Sequence, residues 1–426
     1  MKDIVKELIE IVKSSEKLSD KIKQMFENAI NNTFTTTIML TDRDDAFVLT
    51  GDIEAMWLRD SSAQIRPLFY IDSTEADDLI KKVIKRQWFS VEKDTYANAF
   101  NLTDSGAEWN KYDITDHNPW VWERKYELDS IAYIMQLAHL YYEKTKDGSF
   151  IDDDFLRVLD ILVDQLILEQ DHSKSPYYFE RPEAWAPSDT LRGGKNGTPV
   201  GYTGMSWSGF RPSDDSCVYQ YHIPANAFAV VSLRRLGKVL EELGLAEKTR
   251  SKMLRLADEI DKGIHEFGII KDEDHGDILA YEVDGLGNQL FMDDANVPSL
   301  LSLPYLEYLN KDDKLYLSTR KAVLSDKNHL YFEGKAAKGV GSDHTPKDYI
   351  WHIALSIQAM TSNKKEEVEE ILKYFEITDA RTNLLHEGFH KDDPDEFTRE
   401  WFSWSNSMFC ETVLTYLGLR MIKKDG

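Results

Sequence analysis

The length, composition and charge of the chain limit what it can be. Its 426 residues are 42% hydrophobic and 12% aromatic, so the chain can bury a large core in one or two domains. With 51 basic and 75 acidic residues its formal charge is −24, which argues against nucleic acid or an anionic membrane as a partner and favours a neutral or cationic ligand.

The N-terminal stretch MKDIVKELIEIVKSSEKLSDKI has the apolar spacing of an amphipathic helix, without the continuous apolar core of a signal peptide. No other window is apolar over the ~18 residues that a membrane span needs. The two cysteines, Cys217 and Cys410, are far apart, so neither a disulfide framework nor a thiolate metal site is indicated. These features predict a reduced, cytoplasmic protein without a membrane partner.

Along the chain, helix-type spacing of apolar residues dominates, and strand-type alternation is limited to residues 34–50, 268–283 and 329–332. A polar and aromatic loop, then an apolar helix, then a charged amphipathic helix recurs six times. The apolar helices are expected to begin near Arg59, Tyr126, Pro224, Asn296, Lys347 and Trp404. Charged partners are expected at 75–87, 152–169, 246–267, 312–324 and 364–375, and N-terminal helices at 3–13 and 18–31 supply the sixth.

Six such units predict a mainly α-helical fold, an (α/α)6 toroid with minor β segments in its loops. Its inner helices run in one direction, so the six loops open at one end and line one pit. No Pro-, Ser- or Gly-rich linker interrupts the pattern, which favours a single domain over residues 1–426. The stretch 172–204, rich in Pro, Gly and aromatic residues, is expected to be an insertion that walls the pit.

Tryptophan is concentrated in the loops of these units. Aromatic faces among Asp, Glu, Asn, His and Arg suit a sugar, whose C–H faces stack on indole and whose hydroxyl groups need paired donors and acceptors. A single tryptophan is more often part of a core, but the cluster points to carbohydrate. Seven of the ten tryptophans lie there: Trp57, Trp120, Trp122, Trp207, Trp351, Trp401 and Trp404.

Paired carboxyl groups are the second signal, because glycosidic cleavage needs one protonated and one ionised carboxyl group. Asp214 and Asp215 follow Arg211 and Pro212 and precede an apolar helix. They could equally cap that helix, whose N-terminus favours acidic groups. The residues alone leave the second carboxyl group open, with these candidates: Glu387 in HEGFHKDD, Glu400 in TREWFSW, Glu54, Asp60, Glu127 and Asp294.

Long motifs then indicate a family. The stretches GDIEAMWLRDSSAQ, DHNPWVWERKYELDS, RPSDDSCVYQYHIPANAFA and LLHEGFHKDDPDEFTREWFSWSNSMF resemble glycoside hydrolase family 125, the metal-independent exo-α-1,6-mannosidases. The resemblance runs from about residue 19 to 419. It implies an (α/α)6 fold, inversion at the anomeric carbon, Asp214 as the general acid and Glu387 as the general base.

Substrate contacts are expected from the loops that open the units. These residues are Trp57, Arg59, Asp60, His117, Asn118, Tyr126, Glu127, Arg211, Asp215, Asp294, Asn296, His344, Trp404 and Asn406. No metal or cofactor is expected. The acidic stretch 272–277 lacks the Gly and terminal Glu of a calcium loop, Asp343 and His344 form no larger ligand set, and the RGGK stretch lacks the preceding strand and the Ser or Thr of a phosphate-binding loop.

The sequence therefore predicts an inverting exo-mannosidase that removes terminal α-1,6-linked mannose from short oligosaccharides or trimmed N-glycans. A different (α/α)6 hydrolase, such as a glucosidase, is the alternative enzyme, because fold and two carboxylates do not specify the sugar. A sugar-binding protein without catalysis is the alternative of another class. The expected partner is a mannose-containing oligosaccharide, and the sequence does not predict the oligomeric state.

Overall fold

The computed structural model describes residues 3–424, so Met1 and Lys2 of the amphipathic N-terminal stretch lie outside the described residues. Within residues 3–424, no helix is both long and apolar enough to cross a membrane. The helices are α1 (Lys6–Ser14), α2 (Asp20–Thr36), α3 (Leu58–Ile65), α4 (Thr74–Lys93), α5 (Leu128–Thr145), α6 (Asp153–Leu168), α7 (Ile223–Leu243), α8 (Glu247–Phe267), α9 (Lys314–Val323), α10 (His352–Met360), α11 (Lys365–Ile377) and α12 (Ser403–Tyr416). Short 3-10 helices follow α3 (Arg66–Tyr70) and α6 (Glu169–Lys174).

The strands are short and pair antiparallel in six small sheets, with orders β1-β2, β3-β4-β5, β6-β9-β10, β7-β8, β11-β12 and β13-β14-β15. They are β1 (Ile38–Leu40), β2 (Ala46–Val48), β3 (Met56–Trp57), β4 (Ala99–Phe100), β5 (Val121–Glu123), β6 (Tyr221–His222), β7 (Ile269–Asp272), β8 (Gly276–Leu279), β9 (Glu282–Val283), β10 (Gln289–Leu290), β11 (Tyr331–Glu333), β12 (Lys338–Val340), β13 (Tyr349–Trp351), β14 (Gly388–His390) and β15 (Phe397–Thr398).

Two classes of helix follow from the two apolar patterns. The apolar helices α3, α5, α10 and α12, and most of α7, are buried on nearly all sides, whereas α2, α4, α6, α8 and α11 bury one stripe. A helix that is apolar all round must be surrounded by other elements, and an amphipathic one covers them. The buried helices contact one another in the order α10, α12, α3, α5, α7. Helix α2 packs on α12, so the second of the two predicted N-terminal helices contacts the sixth unit, while α1 packs on α2.

Four of the predicted starts of apolar helices are confirmed within two residues, at the first residues of α3, α5, α7 and α12. The predicted helix from about Asn296 is wrong, because residues 291–309 form turns. Pro298 and Pro304 each lack an N–H for a helical ladder. The Asp293 carboxylate instead accepts the backbone N–H groups of Leu300 and Leu301 at 2.7 and 2.9 Å.

The predicted start near Lys347 is also wrong. Helix α10 begins at His352, because residues Tyr349–Trp351 pair with Gly388–His390 as strands β13 and β14. Strand β14 lies far from β13 in the sequence, so no local pattern predicts this pairing. Two further helices, α3 and α7, likewise begin directly after a strand, β3 and β6. Small sheets therefore set where several buried helices start and where the side chains at their N-termini lie.

Candidate active site

Two adjoining cavities lie at the N-terminal ends of the buried helices α3 and α10. The inner cavity is lined by Thr50, Ile53, Trp57, Arg59, Asp60, Pro212, Ser213, Asp214, Asn296, His344, Trp351, Glu387, Arg399 and Phe402. The outer one, the vestibule, is lined by Ile53, Trp57, Trp109, Glu123, Lys125, Trp185, Asp189, Asp214, His344, Thr345, Pro346, Glu387, Thr398 and Arg399. Residues from both ends of the chain meet in each lining.

Asp214 belongs to both linings and comes from a tight turn. The Asp214 N–H donates to the Arg211 carbonyl at 3.0 Å, and the Arg211 N–H donates to the Asp215 carbonyl at 2.7 Å. Asp214 has φ +67°, a left-handed conformation that costs about 1 kcal/mol or more for a residue with a Cβ. The Lys125 ammonium donates to the Asp214 carbonyl at 2.8 Å. These contacts hold a strained backbone that presents the carboxylate to the cavities.

The Arg59 guanidinium, at the start of α3, is surrounded by carboxyl groups. The shortest distances are 2.8 Å to Asp60, 3.2 Å to Glu127, 3.5 Å to Asp129 and 3.0 Å to Asp214. We call these five residues the Arg59 cluster. Among its carboxyl groups only that of Asp214 has substantial exposure, at 25% of the side chain. One buried cation thus faces four carboxyl groups.

Burial dominates the pKa values in this cluster. Burial raises the pKa of Glu127 well above its ordinary range and that of Asp129 to about 7, although the Arg59 charge opposes both shifts. Burial also raises the pKa of Asp60. For Asp214, burial acts upward as well, but the charge of Arg59 and a hydrogen bond with Glu127 outweigh it, so its pKa is lowered. The cluster therefore holds protons on its most buried carboxyl groups.

Glu387 lies directly before β14, and its side chain is 8% exposed. It lines both cavities, with the Arg399 guanidinium 3.6 Å from its carboxylate. Arg399 also donates to Asp52 at 2.5 and 3.2 Å. The pairing of β13, β14 and β15 thus brings Glu387 from a distant stretch of the chain to the cavities that Asp214 lines.

His344 is the cationic group opposite these carboxylates. Its Nδ1 lies 3.5 Å from the Asp215 carboxylate. Desolvation lowers its pKa, but the contact with Asp215 and the charges of Glu387 and Asp214 outweigh this and raise the pKa to about 9. His344 is therefore an imidazolium at neutral pH, with both ring nitrogens as donors.

The first motif is locked to the last one beside the inner cavity. Gly51 forms a bridge with Phe402, just before α12. A Cβ at Gly51 would lie 2.7 Å from the Trp401 carbonyl, and its φ of +132° is accessible only to glycine, so no other residue fits. Thr50 then donates to Asp60 at 2.5 Å. The loop before α3 is thereby fixed against the start of α12.

Seven of the predicted site residues line a cavity: Trp57, Arg59, Asp60, Asp214, Asn296, His344 and Glu387. Glu127, Asp215 and Asp294 lie directly behind them. Asp294 accepts the Asn296 amide at 2.8 Å and the Ser342 hydroxyl at 2.7 Å, so it orients Asn296. Of the other candidates for the second carboxyl group, Glu54 and Glu400 are exposed and outside both cavities.

Four further predicted contacts lie in the core behind the lining. Arg211 is buried and pairs with Glu282 at 2.6 Å. Asn406 accepts the Leu385 N–H at 3.0 Å. The Trp404 ring is 5.1 Å from the Arg59 guanidinium carbon, and Tyr126 stacks on another buried ring. These side chains line neither cavity and pack behind the lining, and direct substrate contact by them stays a prediction.

His117 and Asn118 line neither the inner cavity nor the vestibule, so the structure does not bring these two predicted contacts together with the others. His117 contacts Glu108 at 2.9 Å, and its side chain is 47% exposed. The Asn118 amide donates to the Lys93 carbonyl at 2.9 Å, and its oxygen accepts the Trp120 N–H at 3.0 Å. Both residues fold their own loop, which is the ordinary role of Asn and His in turns.

Several lining residues were not among the predicted substrate contacts. Arg399, Trp351 and Phe402 complete the inner cavity, and Trp109 and Trp185 flank the vestibule. Trp109 is 52% exposed, and Trp185, in the stretch 172–204, is 64% exposed. The only sequence signal for these two residues as substrate contacts is that they are tryptophans near a loop. Their exposure cannot be read from the sequence.

No metal-ligand set is found within residues 3–424, where no three or more His, Cys, Asp or Glu side chains are grouped to hold an ion. The acidic stretch 272–277 is a turn. Asp272 accepts the His275 backbone N–H at 3.0 Å and pairs with Lys327 at 2.5 Å. Its carboxylate is therefore already neutralised by protein groups.

Comparison with known proteins places this geometry in a family. Residues 19–414 match the model of the metal-independent α-mannosidases, GH125. The structure resembles that of a metal-independent α-mannosidase of Streptococcus pneumoniae in a non-productive complex with α-1,6-mannobiose, with a TM-score of 0.96, 43% identity and 99% of each chain covered. The Meiotically up-regulated gene 157 protein of Schizosaccharomyces pombe is 38% identical, over 99% of this chain and 87% of its own length.

A more distant likeness concerns the fold alone. A bacterial glucoamylase complexed with acarbose superposes with a TM-score of 0.63 at 11% identity, over 93% of this chain and 56% of the glucoamylase chain. The mostly helical chain thus shares its architecture with glucoamylase-like (α/α)6 glycosidases. With the family model covering nearly the whole chain and a relative 43% identical from end to end, the protein belongs to glycoside hydrolase family 125, the metal-independent α-mannosidases.

Proposed function

We propose that the protein is an inverting exo-α-1,6-mannosidase that removes terminal non-reducing mannose from oligosaccharides or trimmed N-glycans. The observation that carries the proposal is that Asp214 and Glu387, from two distant parts of the chain, both line the inner cavity and the vestibule. A scissile bond at the junction of the cavities can therefore meet both carboxyl groups. The α-1,6-mannobiose bound to the S. pneumoniae relative supports the linkage.

Asp214 is the proposed general acid, which protonates the glycosidic oxygen, and Glu387 is the general base, which activates water on the opposite face of the sugar. An inverting pair must leave room for that water, with its carboxyl groups roughly 6.5–9.5 Å apart. The Arg399 guanidinium, 3.6 Å from the Glu387 carboxyl group, is placed to hold this side chain in position.

The inner cavity is proposed to hold one mannose and the vestibule the rest of the glycan, which makes the enzyme exo-acting. Asp60, Asn296 and the His344 imidazolium offer acceptors and donors for hydroxyl groups. The Trp57 side chain lines both cavities, and its buried indole N–H has no hydrogen-bond partner among the described residues. Exposed Trp109 and Trp185 are placed to stack on sugars beyond the cleaved bond.

For the architecture we propose a single-domain (α/α)6 toroid. The contact order α10, α12, α3, α5, α7 supports it, since the last apolar helix of the chain packs on the first. The turns of residues 291–309 fall between α7 and α10 in the chain and take the place of the sixth apolar helix. Like α7 and α10, this segment follows a small sheet, β6-β9-β10.

The test is a substrate panel with purified protein in EDTA: mannobioses linked α-1,2, α-1,3 and α-1,6, the glucose disaccharide isomaltose, and an α-1,6-linked mannotriose blocked at its non-reducing end. Free mannose from the α-1,6-mannobiose alone is the expected result, with the blocked substrate intact. Hydrolysis of isomaltose but not mannobiose supports a glucosidase. Binding of mannobiose without turnover supports a sugar-binding protein. Glu387→Gln protein is the control for contaminating activity.

A further inference from the structure

Glu127 is a buried carboxyl group that lines neither cavity, yet it shares two hydrogen-bond donors with Asp214. Arg59 Nη2 lies 3.2 Å from Glu127 Oε1 and 3.0 Å from Asp214 Oδ1. Asn98 Nδ2 lies 3.2 Å from Glu127 Oε1 and 3.3 Å from Asp214 Oδ1. Each of these two donors contacts one oxygen of Glu127 and one oxygen of Asp214. The two carboxyl groups therefore lie next to each other.

Charge counting shows that these groups cannot all be ionised. The charged and titratable groups around Glu127 are Arg59 and Asp60 from α3, Asp129 from α5, Glu123 and Lys125 from β5 and the residues after it, and Asp214 and His344 from loops. The Lys125 ammonium is engaged by Asp189 at 2.8 Å and by the Asp214 carbonyl. Four carboxylates on one guanidinium leave three negative charges in excess in a buried site, which is prohibitively costly.

Of the protons that the cluster retains, the one next to Asp214 belongs on Glu127. Its side chain is fully buried and its only cationic contact within 4 Å, among the described residues, is Arg59. Asp214 is one quarter exposed and can be hydrated. The opposed shifts in pKa, upward for Glu127 and downward for Asp214, agree with this distribution. Ser130 donates to Glu127 Oε2 at 2.9 Å and fixes its orientation.

We propose that Glu127 is a positioning residue that stores the proton of the general acid: it donates a hydrogen bond to Asp214 in the free enzyme and passes this proton to Asp214 when bound sugar covers the Asp214 carboxylate. The inference rests on the proposed role of Asp214. Covering Asp214 removes its water and makes its charge as costly as that of Glu127. Arg59, which contacts both groups, then compensates the charge left on Glu127.

The steps balance. The proton moves from Glu127 to Asp214 and from there to the glycosidic oxygen as the bond between this oxygen and the anomeric carbon breaks. Water forms the new bond to the anomeric carbon and gives its proton to Glu387. When the products leave, Glu387 releases that proton to solvent and the Glu127–Asp214 pair takes one up. The net reaction is addition of one water.

Glu127→Gln is the direct test, because glutamine keeps the shape and the hydrogen bonds but stores no acidic proton. We measure kcat/KM against pH with α-1,6-mannobiose and with an aryl α-mannoside that has a good leaving group. For mannobiose the alkaline limb should move at least one pH unit lower, with a loss of tenfold or more at neutral pH. The aryl substrate needs little protonation and should change less than threefold.

The matched control is Glu411→Gln, which alters an equally buried glutamate paired with one arginine, Arg66, outside both cavities. Its alkaline limb should stay in place. An unchanged alkaline limb in Glu127→Gln overturns the inference and leaves the proposed function standing, provided that Asp214→Asn still shows selective loss on mannobiose. If Asp214→Asn cleaves mannobiose like the wild type, the proposed function itself fails.

Infrared difference spectra of wild type and Asp214→Asn test where the proton lies. They do not depend on whether Glu127→Gln folds. Wild type minus Asp214→Asn at neutral pH should show a shifted carbonyl stretch of a protonated carboxyl group, because the acceptor of the Glu127 proton changes. Loss of such a band without a shifted counterpart would place the proton on Asp214, and a flat spectrum would place it on neither group. Either of these results overturns the inference.

Discussion

Two buried arginines, Arg59 and Arg66, stand at the two ends of helix α3 and differ in their partners. Arg66 makes hydrogen bonds of 3.1 to 3.3 Å to Glu411, one of 3.1 Å to Gln136, and lies 4.5 Å over the Tyr305 ring. One cation thus meets one carboxylate. Arg59 meets four carboxyl groups.

The difference shows how a fold separates stability from chemistry. At the Arg66 end one cation faces one carboxylate, and this pair holds α3 to α12. At the Arg59 end the carboxyl groups are in excess, so some keep protons and their pKa values move toward neutrality, as proton transfer requires. Substitutions at the two ends should therefore affect different measurements.

The largest effect is expected for Glu387→Gln, which removes the base opposite the Arg59 cluster. General acid–base groups contribute about 10²–10⁴-fold to rate. We expect a loss of kcat in this range on α-1,6-mannobiose and on an aryl α-mannoside alike, since both need activated water. The melting temperature should stay within a few degrees. A loss below tenfold would remove Glu387 from the mechanism.

Asp214→Asn comes next, because its effect depends on the leaving group. The loss on mannobiose should again be about 10²–10⁴-fold, whereas an aryl mannoside with a good leaving group should lose less than about tenfold. Steady-state kinetics on the two substrates provide the comparison. Equal losses on both would show that Asp214 does not act as the acid.

Glu411→Gln is the counterpart at the other end of α3. It leaves the buried charge of Arg66 with neutral partners only, and breaking such a pair costs about 3–5 kcal/mol of unfolding free energy. Because glutamine keeps hydrogen bonds, we expect about 3 kcal/mol in urea unfolding, with kcat within about twofold of wild type. A strong fall in kcat without loss of stability would contradict the assignment of the Arg66 end of α3 to stability and the Arg59 end to catalysis.

Much of the fold could be predicted from the sequence. The parts that could not be predicted depend on contacts between residues that are distant in the chain. Apolar periodicity is a local property of the sequence, so it predicted the starts of α3, α5, α7 and α12. The resemblance to the family motifs indicated Asp214 and Glu387 as the catalytic pair. The turns around Asp293 depend on side-chain bonds to the backbone, and the start of α10 depends on a strand from residues 388–390. No local pattern contains either interaction.

The same limit applies to the site. Trp57, Arg59 and Asp60 were expected to contact substrate, and the structure places them in the lining. The charge imbalance around Arg59 was not foreseen, because its carboxyl groups are spread from residue 60 to residue 214. His117 and Asn118 were chosen by residue type in a loop, but type alone does not separate a ligand from a turn.

The smallest effect is a pH dependence at Asp129, whose carboxyl oxygens have no hydrogen-bond partner among the described residues. Burial raises its pKa from an ordinary 3.8 to about 7. Between these values the folded state holds a proton that the unfolded state has lost, so this group's contribution to stability falls as pH rises through that window. Asp129→Asn lacks this dependence.

Relative to wild type, Asp129→Asn should therefore be more stable at pH 8 than at pH 5, by an amount on the order of 1–4 kcal/mol, since one pKa unit corresponds to about 1.4 kcal/mol. Denaturant unfolding of both proteins at the two pH values measures it. Glu411→Gln, whose partner stays charged throughout, serves as the control. An equal difference between variant and wild type at both pH values would contradict the excess of protonated carboxyl groups around Arg59.

The proposed reaction is a single displacement by water, in which Asp214 supplies the proton and Glu387 removes one. Proton NMR of the first mannose released from α-1,6-mannobiose tests this reaction directly, provided that the spectra are taken before the anomers equilibrate. We expect β-mannose as the initial product, with α-mannose growing in only through mutarotation. Initial α-mannose would show a retaining, two-step reaction and would contradict the role of Glu387 as a base.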